Sequence, residues 1–487
     1  MGAIHISPFA GSWYPEHRSE LERLLAERFG QSRQRTGPFL RPGGLAFVMP
    51  HAGPAYSGTV ASAVYRAVEH QKPEQIVLLA FPHRGFLKGV VTPDVEAIST
   101  PLGEVAIDRA FAREFRTVPE ARVCDHSFEI QLPYLQMTVP GARVTPLYVG
   151  EMTAGERGAA ADVLAAAWRP GVVFLASSDF THYGPRFEHV PFAADRNTAE
   201  RLRELDFEYI EAAGSLDSSR FLDTLRQHKA TVCGASPIAL LLDTLERLGG
   251  EEIYQSTLDY QTSGDLTGDW EDSVSYAALG YYRRQAFELD ETDREALLDS
   301  AAETLRRLRE EGSLEAIPAR GGSVALTARC GAFVSLHQGE ELLGCIGNLL
   351  GRGPLVEEVA QLALAAALDD PRFRQAASVQ GPIDIEISVL TPFRWIRGAE
   401  EFSVGKHGAL LKLGKHAGLL LPQVAEGRDW TAEDFLRAVA RKSNLGPSAW
   451  RDPRARLSVF EAQIFARKNI PPKMHTVPSP SPSKAKS

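Results

Sequence analysis

The stretch Ala46–Gly58, AFVMPHAGPAYSG, stays apolar for four residues, stops at Pro50, and delivers His51 into a glycine-proline turn. A run with no polar face suits a strand buried on both sides, as in a parallel sheet between helical layers. Further along, QIVLLAFPH repeats the arrangement and ends at His83, about thirty residues later, roughly one βαβ unit. A third run, GVVFLASSDFTHYG, turns polar after Ala176 and presents Ser177, Ser178, Asp179 and His182. RVTPLYVG adds a fourth, and stretches such as TAGERGAAADVLAAAWR between the runs read as helices. Strand-helix alternation over the first 280 residues predicts an α/β domain, a mostly parallel sheet with helical layers.

If these runs lie side by side, His51, His83 and Asp179 emerge at one edge, beyond the strand carboxyl ends. Open α/β sheets bind ligands there. Two neutral imidazoles at that edge make half of a transition-metal site. Asp179 and His182 suit orienting a ligand or moving a proton. Cys233 precedes Gly234 and an apolar helix with Pro237 in its first turn, and a thiol at a helix start is easier to ionise. CDHSFEIQLPYLQ places Asp125, His126 and Glu129 inside an otherwise apolar run. Each residue also has a plainer reading. One histidine after a strand usually shapes a turn, but three at three strand ends point to a site. Asp179 serves equally well as a turn cap. Asp125 and Glu129 read as capping or lining a helix. Cys233 taken alone reads as a buried, inert thiol.

The 487 residues exceed one ordinary core and imply at least two domains. A formal net charge of −9 argues against nucleic acid as the main partner. No apolar run approaches the ~20 residues of a membrane span. MGAIHISPFAGSWYPEH lacks a basic segment followed by an apolar core, so a cytoplasmic protein is expected. The four cysteines, Cys124, Cys233, Cys330 and Cys345, form neither a disulfide framework nor a C-x-x-C zinc motif.

A boundary falls in the charged stretch 284–291. Residues 1–283 then form the first domain, 284–291 a linker and 292–470 a second, α+β domain. The Pro-, Ser- and Lys-rich residues 471–487 form a disordered tail. The second domain opens with a helix for which Thr292 and Glu295 suggest a capping box, Gly312 a C-terminal stop, and Leu298, Ala301, Leu305 and Leu308 an apolar face. Gly344, Cys345 and Gly347 read as a strand-to-loop transition. Cys345 there is a candidate nucleophile, with tight packing the preferred reading. His407 and His416 read as hairpin-turn residues.

AGSWYP (10–15), PHAGPAYSG (50–58), DHSFEIQLPYL (125–135), SSDFTHYG (177–184), CGASPI (233–238) and DSVSYAALG (272–280) together resemble the Memo family over about residues 3–282. The resemblance implies a fold like the class III extradiol dioxygenases, and a pocket with His51, His83 and Cys233 as metal ligands. Asp179 and His182 would line it as acid/base groups rather than ligands. Where the family carries a second histidine after the second strand, this chain has Arg84. The family's aromatic in the HAG motif is Pro54, and its glutamate before HS is Asp125. Residues 290–468 resemble the AMMECR family, whose arginine before GCIG is Leu343 here.

The joint resemblance implies a non-haem redox protein, dioxygenase-like, in an AmmeMemoRadiSam system. A radical SAM partner would act with it on a small-molecule or peptide substrate. Imidazole plus thiolate suits iron or copper, with zinc as the alternative. Two rival readings are a zinc-dependent hydrolase using an activated water, and a non-catalytic binding module.

Overall fold

The computed structural model describes residues 4–373, 379 and 381–470. The expected tail, 471–487, lies outside them. By contacts the chain divides into two units. One runs up to Phe287 and also includes Pro392–Phe460; the other is Glu288–Thr391 with the segment from Glu461 on. The stretch 292–470, expected as one domain, is therefore not one contact unit. Polar and aromatic contacts inside the first unit account for this: Arg220 stacks on Trp395, Arg397 pairs with Asp217 at 2.8 Å, and Lys406 pairs with Glu252 at 2.7 Å.

In the first unit, the four apolar runs become the strands Gly44–Met49, Gln75–Ala80, Arg143–Val149 and Val172–Ser177. They pair in parallel, with Val172–Ser177 between Gly44–Met49 and Gln75–Ala80, and Arg143–Val149 beyond the latter. Alternate residues feed two separate cores. Phe47, Met49, Ile76 and Leu78 pack on one side, whereas Ala46, Val48, Val77 and Leu79 pack on the other. Two-sided burial is the reason apolar residues dominate the runs on both faces, with the buried polar Gln75 and Thr145 bonded to each other at 2.9 Å. The whole nine-stranded sheet is mixed rather than mostly parallel. Ser273–Arg283 runs antiparallel to Gly44–Met49 at one flank, and Val90–Pro93 runs antiparallel to Arg143–Val149 at the other.

Helices cover both faces. Gly58–Gln71 is buried from Gly58 through Val68, and Ala235–Arg247 is buried over most of its length. The helix Ala154–Ala167 carries Arg157, which bonds Asp243 at 2.8 Å and Ser218 at 2.9 Å, tying three helices together. Pro392–Phe460 supplies a four-stranded antiparallel sheet and the helix Ala432–Lys442 around its own apolar cluster.

In the second unit, Glu291–Glu311 packs on a four-stranded sheet and the helix Leu355–Leu368. Its cap is Asp290, whose side chain accepts from the Asp293 amide, not the expected Thr292–Glu295 box. Gly312 does close it, in the left-handed conformation at φ 70°. Leu298, Ala301, Leu305 and Leu308 are buried as the apolar face. Gly344, Cys345 and Gly347 lie within the strand Glu341–Asn348, not at a strand-to-loop transition. A Cβ on Gly344 would sit 2.0 Å from the Ala366 carbonyl, so close packing explains that glycine. Leu343 is buried in the same core, a position where an arginine head group would find no water. Among the described residues no helix is long and apolar enough to cross a membrane.

Replacing Asp243 by alanine strands the buried Arg157 guanidinium and is expected to cost about 3–5 kcal/mol. The measurement is the urea midpoint of the full chain. Arg157→Met/Asp243→Leu, which removes both charges, is expected to recover most of the loss.

Candidate metal centre

The strand order decides what meets at the sheet edge. Val172–Ser177 lies between Gly44–Met49 and Gln75–Ala80, and Met49 stands opposite Ser177. The chain after each strand then delivers His51, Asp179 and His83 to one place. The His51 and His83 rings are 5.0 Å apart, edge to face. The short helix His126–Glu129 brings a third imidazole, its ring 4.2 Å from that of His83 and 5.3 Å from that of His51. Cys233 arrives from the turn before Ala235–Arg247, with Sγ 3.0 Å from His51 Nε2. Gly234 makes this approach feasible, since a Cβ there would lie 2.4 Å from the Ser177 carbonyl.

Two three-residue sets share His51. One is His51, His83 and His126; the other is His51, Asp179 and Cys233. Within each set the donor atoms all lie within 4.8 Å of one another. The expected ligands His51, His83 and Cys233 thus gather in one region, with His83 in the first set and Cys233 in the second. His126 was not among the candidate ligands. Its signal was the Asp-His pair at the head of a short helix, which looked like capping alone.

Hydrogen bonds fix the tautomers. The Ser177 hydroxyl donates to the Ser127 carbonyl, so toward His51 Nδ1, 2.9 Å away, it can only accept. His51 therefore carries its proton on Nδ1 and leaves Nε2 free. Asp125 Oδ1 lies 2.9 Å from His83 Nδ1 and 3.1 Å from His126 Nδ1. A carboxylate accepts, so both rings direct Nδ1–H to it and turn Nε2 away from it. A carboxylate behind an imidazole is the usual support of a metal-ligating histidine. Asp125 also accepts from the Ser127 amide at 3.0 Å and so caps the helix, as its plainer reading had it. Arg84 is exposed.

Burial, reinforced by His83 and His126, pushes His51 well below the usual histidine range, so the ring stays neutral. Burial pushes the Asp125 carboxyl up, but the bonds from His126 and His83 outweigh it and hold it well below the usual carboxylate range. Burial also pushes the Cys233 thiol up, and the neighbouring Asp179 adds to this. That reverses the expectation of an easily ionised thiol, because desolvation exceeds the favourable effect of the helix start. Asp179 accepts from the His51 amide at 2.8 Å and the Ala52 amide at 3.3 Å, rather than from a ligand imidazole. Burial raises its pKa above the ordinary value. His182 Nδ1 lies 3.1 Å from the Phe180 carbonyl and 3.0 Å from that of Thr231, so Nδ1 donates there and Nε2 is turned away from both carbonyls.

Residues 7–280 match the Memo-like protein family, and residues 298–465 match the AMMECR1 family. The chain belongs to the Memo-like family, with an AMMECR1 domain fused behind it. A MEMO1 family protein of Thermoplasma acidophilum is 31% identical over 55% of this chain and 96% of its own length. One from Methanosarcina acetivorans is 34% identical over the same shares. The memo-1 homolog of Caenorhabditis elegans is 28% identical over 55% of this chain and 80% of its own. Among solved structures, an uncharacterised Pyrococcus horikoshii protein is 32% identical over 36% of this chain and 90% of its own, with a TM-score of 0.34. In this Memo-like chain the donor set suits a first-row transition ion, since imidazole nitrogen and thiol sulfur dominate it.

Ser177→Ala removes the acceptor that holds His51 in the Nδ1–H form. Ring-labelled imidazole NMR is expected to show a mixed tautomer, and metal affinity to fall about 10–100-fold. An unchanged tautomer would mean that other contacts fix the ring.

Proposed function

We propose that the Memo-like part holds a redox-active iron or copper ion in a dioxygenase-like centre, with His51, His83 and Cys233 as its ligands. The observation that supports this best is the meeting of free imidazole nitrogens and a thiol on His51, the member common to both donor sets. Bound there, such an ion supplies electrons for dioxygen chemistry and open positions for substrate. The chain's own groups do the rest. Asp125 and Ser177 orient the imidazoles. Asp179, whose pKa burial raises above the ordinary carboxyl range, holds a proton more readily than an exposed carboxyl does. His182, anchored through Nδ1, presents the Nε2 edge of its ring, and the pair serves acid/base steps on an unidentified small-molecule or peptide substrate.

A second reading rests on the other set. His51, His83 and His126, each held at Nδ1 by Ser177 or Asp125, make an all-imidazole trio like those that hold zinc in hydrolytic sites. The linkage of Memo-like and AMMECR1 parts supports a radical SAM protein as partner. No two of this chain's cysteines are spaced as an iron–sulfur motif requires, so such a cluster would come from that partner.

Metal analysis of anaerobically purified protein, with two variants, separates these readings. Iron or copper lost with Cys233→Ser but kept with His126→Ala is the expected result. Zinc, lost with His126→Ala and kept with Cys233→Ser, would replace it with the hydrolase. Absence of stoichiometric metal from the wild-type chain would leave a binding module.

A further inference from the structure

A second cluster of metal-ligating side chains lies outside the centre just described. His5 comes from the strand Ile4–Ile6, which pairs in parallel with Ala97–Thr100 over three residues. Cys124 precedes the short helix His126–Glu129, and Glu129 ends it. Donor atoms of His5, Cys124 and Glu129 all lie within 4.8 Å of one another. His5 Nε2 is 3.0 Å from Glu129 Oε1.

Two observations point to a ligand. The Glu129 side chain is fully buried, and its second oxygen, Oε2, meets no hydrogen-bond partner. A buried carboxylate oxygen left unserved is unfavourable, and a cation satisfies it as a hydrogen-bond donor does. The charges also close. With an ion bound, carboxylate and thiolate would carry two negative charges and imidazole none, so a divalent ion would leave the cluster neutral. The mixed N, S, O set rules against magnesium and calcium, which take oxygen ligands. It fits a borderline ion, zinc before others, with three protein ligands and a fourth position open.

We propose that His5, Cys124 and Glu129 form a second metal site for a zinc-class divalent transition ion. Bound there, the ion fastens the three-residue strand Ile4–Ile6 to the helix His126–Glu129. That helix also carries His126 of the first centre, so one short stretch serves both sites.

Cobalt(II) titration of the apo full-length chain, followed by the thiolate-to-metal charge-transfer band, tests the assignment. In a His51→Ala/Cys233→Ser chain, which lacks the first centre's shared ligand and its thiol, one equivalent is expected to bind with the band intact. Adding Cys124→Ser is expected to abolish the band and weaken binding at least tenfold. In the otherwise wild-type chain, His5→Ala, at a partly exposed position, is expected to lower the cobalt stoichiometry by one equivalent. A band that survives Cys124→Ser, or a stoichiometry unchanged by His5→Ala, overturns the proposal whatever the first centre binds.

Discussion

One hydroxyl hydrogen, that of Ser177, orders the centre. The chain of bonds leading to it has a single consistent direction. Tyr65 donates its phenol hydrogen to Gln131 Oε1 at 2.6 Å, which turns the amide nitrogen of Gln131 toward Ser177 and the Pro50 carbonyl. Burial pushes Tyr65 well above the usual tyrosine range, so the phenol keeps its proton. Ser177, accepting from Gln131, spends its hydrogen on the Ser127 carbonyl and must accept from His51. Each bond polarises the next in these buried surroundings. The outcome is a neutral imidazole with one nitrogen fixed for a proton and the other free.

Asp125 does for two rings what Ser177 does for one. Its carboxylate reaches His83 and His126 while capping the helix that carries His126. The family pattern has a glutamate at this position. The shorter side chain here still spans both imidazoles, because the helix begins at the next residue and brings its first ring close. The capping role and the orienting of both imidazoles therefore belong to the same oxygen.

The sequence made some of this legible and hid the rest for physical reasons. Apolar runs buried on both faces announce central strands, and their ends announced His51, His83 and Asp179. The flanking direction was not readable, since DSVSYAALG looks the same whether Ser273–Arg283 runs parallel or antiparallel to its neighbour. His126 stayed hidden because its polar neighbours Asp125 and Ser127 read as a helix start, and because its partner rings come from positions 43 and 75 residues away along the chain. Gln131 was invisible for the same reason, as its role consists wholly of contacts with Tyr65, Pro50 and Ser177. At the second helix start, Asp290 and Thr292 both carry capping chemistry. The backbone turns helical after Asp290, and that decides between them.

Cys233 shows why composition alone misjudges such a site. Its place before a helix suggests a thiolate, yet burial and the nearby Asp179 carboxyl favour the thiol. The thiol sits 3.0 Å from His51 Nε2, the nitrogen that Ser177 has left unprotonated. Sulfur and nitrogen are thus joined by a proton in the metal-free chain. A cation placed between them must displace that proton, because a coordinating thiol is deprotonated by the ion it binds. The low dielectric that suppresses ionisation without a metal also strengthens the attraction between thiolate and cation once one arrives. Burial therefore does not argue against Cys233 as a ligand. It makes the thiolate conditional on the ion.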